Sequence, residues 1–376
     1  MSDNHGGPVK QQSISEIAEY LKKMIPRVIP DNYELKPMFL NIAGEQDILN
    51  GVVAFRDFLY TLYDCLVSEG HKYFTLKKKP YNETDYPFIY QLTDLLSDIG
   101  YHSELNSDKS ALVIDQLPSF IPLVDENGKK SKVRNSLTKL TDCMRLLYNC
   151  GFRFSGIDLD AGKIDPAEIK SLEVTYPRAP IMLTGLKVMS IADRELREKR
   201  YKNDNNRDNL LLCNYRLIGA EEPDATEILS DFLNPLPDSV QKFGMGLHKR
   251  YTDLEMVCIP IITTFDVHFA YSNIKSSKKI ESPKKIYQKR IWEFSLSPRD
   301  GYSFVVRSKK TDKYPEVIKG FSLELQGKIL KGYGCDRKLH NEPCRRGCQG
   351  IRLPLDKSIL SLAGDIEVWL DNELMN

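Results

Sequence analysis

Two kinds of hydrophobic spacing occur in this chain, and their segregation along the sequence limits the folds it can adopt. Ile48, Val52, Phe55, Leu59, Leu62 and Leu66 follow one another at alternating steps of four and three. That rhythm matches the 3.6-residue turn and predicts an amphipathic helix reaching Ser68. Helical spacing also covers Ile17 to Ile25 behind Ser13 and Glu16, which have the form of a capping box, and returns over 88–99, 136–150 and 181–200. In the last third the spacing changes. Val257–Ile262, Phe265–Tyr271, Trp292–Leu296 and Tyr302–Val306 are short runs rich in β-branched and aromatic residues, which predict strands. Helical segments follow at Leu323–Leu330 and at Asp356–Leu374, the second with Ile359, Leu362, Ile366, Trp369 and Leu370 on one side. This order predicts an α+β fold of two helix-strand domains, the last an antiparallel-rich sheet backed by helices.

At 376 residues the chain exceeds the roughly 250–300 at which a single core stops growing. The expected boundaries follow composition. Residues 1–36 form an N-terminal helix and a connector, Pro26 to Pro37, with three prolines. Residues 37–220 form an α/β domain, and the acidic, proline-containing stretch from Glu221 to Asp238 opens a C-terminal domain, 221–376. Within 37–220 the pattern Leu95-Leu96-Ser97-Asp98-Ile99-Gly100-Tyr101 is echoed by Leu146-Leu147-Tyr148-Asn149-Cys150-Gly151-Phe152. The echo suggests two similar subunits, 37–120 and 134–220, or simple reuse of one capping chemistry. Gly100 and Gly151 are expected just past helix ends, and strands are expected at Lys72–Leu76 and Leu210–Ile218.

Lys and Arg total 53 against 52 Asp and Glu, so the chain as a whole has no field drawing it to nucleic acid or an anionic bilayer. The longest apolar run, Met256 to Ile262, is far below the roughly 20 residues of a membrane-spanning helix. No membrane association is expected. The first residues, Met-Ser-Asp-Asn-His-Gly-Gly-Pro, lack a secretory pattern, and a cytoplasmic location is the expectation. Cys65, Cys143, Cys150, Cys213 and Cys258 are scattered near apolar residues and are expected as buried thiols in a reducing compartment.

The densest concentration of reactive side chains lies between Gly332 and Gly350, where three of the eight cysteines, one of the six histidines and four glycines fall together. Cys335, His340, Cys344 and Cys348 supply the four sulfur and nitrogen donors that tetrahedral zinc takes, although the Cys344–Cys348 spacing is loose for a metal-binding pair. Lys331, Arg337, Lys338, Arg345, Arg346 and Arg352 outnumber Asp336 and Glu342 around them. Positive charge stabilises thiolate, so an activated cysteine is a second reading. A third assigns Arg337, Arg345 and Arg346 to a small anionic ligand, and a fourth leaves the cysteines as packing residues in a glycine-rich connection.

The run Lys275 to Arg290 carries seven Lys or Arg against Glu281, a pattern that a nucleic-acid-binding loop would show but that a solvated loop between two strands explains better. Asp158, Asp160, Gly162 and Asp165 have calcium-loop spacing, but Ile169 stands where the loop needs glutamate. No phosphate-binding glycine loop, dinucleotide fingerprint, metalloprotease histidine pair or nucleophile elbow occurs.

Trp292-Glu-Phe-Ser-Leu-Ser-Pro-Arg-Asp-Gly-Tyr302, followed by Gly350-Ile-Arg-Leu-Pro354 and a terminal helix, resembles small bacterial α+β domains of unknown function. The resemblance implies a compact α+β unit and no particular reaction. The expected function is a ligand- or partner-binding, regulatory protein acting through its C-terminal domain on a small anionic ligand or a protein. The alternatives are a zinc-stabilised nucleic-acid-associated protein and a cysteine-dependent enzyme.

Overall fold

The computed structural model describes residues 13–74, 87–122, 124, 126–129, 137–196, 210–221, 224–262, 267–273, 289–298, 300–307, 311–331 and 350–375. The chain is α+β. It divides into two compact units, one ending at Glu222 and the other beginning at Pro223.

In the first unit, helix α1 (Ile14–Met24) opens on the capping box. The Ser13 hydroxyl accepts from the Glu16 amide at 3.1 Å, and the Glu16 carboxylate accepts from the Ser13 amide at 2.6 Å. Its buried residues Ile14, Ile17 and Leu21 rest on α2 (Glu45–Tyr73), the longest described helix. The connector between them is not loose. Leu35 bridges to Gly219, and the Lys36 ammonium donates to the Leu217 and Gly219 carbonyls at 2.9 and 2.5 Å, tying the start of the unit to its end.

Helix α2 overruns the strand expected from Lys72, since both Lys72 and Tyr73 are helical. Helix α3 (Pro87–His102) likewise runs through Gly100 and Tyr101. A Cβ on Gly100 would lie 2.6 Å from the Ser190 Cβ and 2.7 Å from the Leu186 carbonyl, both on α5 (Met182–Leu196). That glycine therefore serves helix contact, not a helix end. Gly151, with φ of 113°, does end a helix, α4 (Leu137–Asn149). The two similar segments thus use their glycines for different purposes. Strands β1 (Glu104–Leu105), β2 (Ala111–Ile114), β3 (Arg153–Ser155) and β4 (Leu172–Thr175) form one antiparallel sheet in the order β1-β2-β4-β3, so β2 of the first segment pairs directly with β4 of the second. The strand expected at Leu210–Ile218 is instead a series of turns with a 3-10 turn at Tyr215–Leu217, and Leu210, Leu211 and Leu212 are buried there as a non-repetitive plug.

The second unit begins with α6 (Ala225–Leu233) and α7 (Asp238–Asp253). A five-stranded antiparallel sheet follows, in chain order: β5 (Met256–Ile262), β6 (Val267–Asn273), β7 (Trp292–Ser297), β8 (Gly301–Val306) and β9 (Ile351–Pro354). The outermost strands, β5 and β9, each contain a proline, Pro260 and Pro354. Helices α8 (Pro315–Lys319) and α9 (Leu323–Lys331) come before β9, and a 3-10 segment (Lys357–Leu362) leads into α10 (Ala363–Met375).

Register and the two-residue period assign the faces of this sheet. Tyr271 opposes Trp292, which opposes Val306, and Phe269 opposes Phe294, which opposes Phe304. Tyr271 and Trp292 stack with ring centroids 3.6 Å apart and planes 6° from parallel, and Phe294 and Phe304 close round Trp292. Phe232 of α6 and Tyr251 of α7 lie on this aromatic face. His248 of α7 crosses the same layer, its Nδ1 2.8 Å from the Tyr271 hydroxyl and its Nε2 3.1 Å from that of Thr226. Tyr251 Oη in turn donates to Asp371 of α10 at 2.9 Å.

Candidate functional site

Antiparallel sheets ordinarily bury one face and leave the other to water. The sheet of the second unit departs from this, because all six residues of β7 are buried, and the face opposite the aromatic layer is polar. Two cross-strand rows make up its centre. One runs His268, Ser295, Ser303, Pro354, and the other Ala270, Glu293, Val305, Arg352.

Glu293 is the organising residue. Its side chain is 0% exposed, so its charge can persist only if neighbours replace water. Arg307, just past β8 and itself almost fully buried, donates to Glu293 Oε1. Arg290, just before β7, places Nε 2.7 Å from Oε2, and His268 Nδ1 lies 3.7 Å from Oε1. Burial alone would raise the Glu293 carboxyl, but His268, Arg307 and Arg290 outweigh it and hold the group below its usual range. Glu293 is consequently a fixed negative charge and a poor proton donor or acceptor near neutral pH. On the same face Arg352 of β9 sets Nε 3.4 Å from Asp300.

Exposure grades across the cluster. Glu293, Ser295 and Ser303 are closed off, whereas the side chains of Arg352, Arg290 and His268 are 28%, 17% and 15% exposed and reach its rim. Ser295 Oγ and Arg352 Nη1 are among the polar atoms of the cluster that are buried without a hydrogen-bond partner among the described residues. A buried donor left in this state costs about 1–3 kcal/mol, so such groups occur where something else completes them. Ser295 stands opposite His268, with Glu293 beside it, and its hydroxyl makes no hydrogen bond to the imidazole. The arrangement is suited to recognition of negative charge: guanidinium and imidazole at the rim, hydroxyl and guanidinium donors within.

The metal donors expected from the sequence, Cys335, His340, Cys344 and Cys348, lie outside the described residues, as do Arg337, Arg345 and Arg346 and most of the basic run 275–290. Of those patterns, Arg290 and Arg352 are described and fall on the polar face. Among the described residues no group of three or more His, Cys, Asp or Glu side chains is placed to hold a metal ion. Asp158 and Asp165 of the calcium-like segment accept backbone amides of their own turns, from Asp160 at 2.9 Å and Ala167 at 3.0 Å.

Glu293, His268, Ser295 and Arg307 did not stand out in the sequence. The available signal was the alternation Trp292-Glu-Phe-Ser-Leu-Ser, in which every second residue is polar. Such alternation usually marks a solvent face, and only the fold reveals a buried one. No described helix is long and apolar enough to cross a membrane. No family model, curated protein or solved structure matches the chain.

Proposed function

We propose that the chain is a cytoplasmic ligand-binding protein whose C-terminal unit recognises a small anion on the polar face of its sheet. The observation that carries this reading is the pair of buried donors, Ser295 Oγ and Arg352 Nη1, without hydrogen-bond partners among the described residues, in a cluster ringed by Arg290, Arg307 and His268. An oxyanion admitted to the cluster would supply the acceptor that each of these donors lacks. Glu293 would not repel it strongly, because its charge is already met by two guanidinium groups. The role of Glu293 would be to hold Arg290 and Arg307 in fixed rotamers, which lowers the ordering cost of binding. A protein partner presenting a carboxylate would use the same donors.

Calorimetric titration of the full chain with inorganic phosphate at constant ionic strength tests this reading. Saturable binding is expected. A charge-assisted hydrogen bond contributes about 1.5–3 kcal/mol, so Arg352→Gln should weaken binding roughly tenfold or more. Ser295→Ala should weaken it by a smaller factor. Absence of saturable binding by wild type, or equal affinity in both variants, would overturn the proposal.

A further inference from the structure

Helices α2 and α4 pack against each other, and three contacts tie α4 and the residues after it to α2. Lys139, near the start of α4, donates to the Tyr73 carbonyl at 3.4 Å. Asn149, at its end, hydrogen-bonds the Tyr73 hydroxyl. Phe152, just beyond, meets Phe58 edge-on with centroids 5.0 Å apart. Cys65 lies seven residues after Phe58, two helical turns along the same face, and Cys150 lies between Asn149 and Phe152. Between these contacts the Cys150 thiol is hydrogen-bonded to Cys65. Neither cysteine is in a disulfide.

Their surroundings differ in the way a reactive pair requires. Cys65 is part-exposed and Cys150 is buried. The hydrogen bond from Cys150 holds the Cys65 thiol below the ordinary range. Arg178 adds to this, against burial and the Glu69 and Asp64 carboxylates. The same hydrogen bond, reinforced by burial, pushes Cys150 up. Cys143 and Cys213 are fully buried with thiols driven upward, Cys213 to about 12, and burial takes Cys258 to about 12 as well.

We propose that Cys65 and Cys150 form a peroxide-oxidisable pair, Cys65 attacking and Cys150 resolving, that closes a disulfide between α2 and α4. The Cys65 thiolate attacks one oxygen of a hydroperoxide. The O–O bond breaks, the sulfur becomes a sulfenic acid, and the departing oxygen takes a proton to leave as an alcohol, or as water from hydrogen peroxide. Cys150 sulfur then attacks Cys65 sulfur. The S–S bond forms as the S–O bond breaks, and the sulfenic oxygen leaves as water with the Cys150 proton. The two thiols lose two electrons and two protons in total, and the peroxide is reduced.

The test is peptide mapping of full-length protein after treatment with stoichiometric hydrogen peroxide and alkylation of the remaining thiols. A peptide pair linked through Cys65 and Cys150, lighter than the sum by two hydrogens and absent after reduction, is expected. In Cys150→Ser, Cys65 should instead be trapped as a sulfenic acid by dimedone. In Cys65→Ser, Cys150 should be recovered as an unoxidised thiol. Recovery of both wild-type cysteines as thiols, a link from Cys65 to any other cysteine, or Cys65 over-oxidised beside a free Cys150 would each overturn the assignment. The wild-type map carries the test even where a variant fails to fold.

Discussion

Gly51 of α2 and Gly185 of α5 meet backbone to backbone: a Cβ on Gly51 would lie 2.8 Å from the Gly185 amide nitrogen, and one on Gly185 would overlap the Gly51 carbonyl. Neither glycine has positive φ, so each is there for proximity. Gly185→Ala should force the helices apart and lower stability by about 3 kcal/mol, the scale of overpacking in a close-packed core. Urea denaturation measures it, and a loss below about 0.5 kcal/mol would show that the helices can separate at almost no cost.

Removing the charge at Glu293 should be more costly than removing most surface charges, because it strands two guanidinium groups in a buried site. Glu293→Gln is expected to lose about 3–5 kcal/mol at neutral pH. The pH dependence has a definite sign. The folded carboxyl lies below its ordinary value of 4.5, so its contribution is complete above that pH and is lost as pH falls through the folded value. The gap between variant and wild type should therefore narrow below pH 4.5 in denaturation series.

His248 is expected to titrate low. Burial disfavours its charged form, Asp224 opposes only in part, and the ring bridges Tyr271 and Thr226. With the folded value depressed, the histidine's contribution to stability is full above the ordinary 6.5 and declines as pH falls through the folded value. Proton NMR of the imidazole should place its midpoint below 6.5. A midpoint at or above that value would contradict the burial described for the ring.

The capping box of α1 should contribute about 1 kcal/mol, so Ser13→Ala is expected to lower stability by that amount. Hydrogen exchange should accelerate first at the Glu16 amide, which the serine hydroxyl otherwise receives at 3.1 Å.

Much of the fold was legible in local periodicity. The strands of the second unit and the helix through Ile48–Leu66 emerged where apolar spacing and residue type agreed. The failures have a common cause in long-range contact. Gly100 carries the same local sequence cues as Gly151, yet Ser190 and Leu186, some ninety residues away, need its missing side chain, so the helix continues. Leu210 to Ile218 is apolar enough for a strand, but it fills a core without joining a sheet. The polar face was hidden for a related reason. Glu293 and Ser295 alternate with aromatic residues as solvent-facing residues do, and their burial depends on where Arg307 and Arg352 return in the sheet.

Pro260 and Pro354 occupy the two margins of the five-stranded sheet. Proline is tolerated on a marginal strand, and a chain approaching from outside finds no amide proton at that residue. The sheet is thereby discouraged from recruiting further strands at either end. For a unit with β-branched and aromatic segments as dense as Met256–Ile262 and Trp292–Ser297, this is protection against edge-to-edge polymerisation, and it bears on how the protein survives crowding and synthesis.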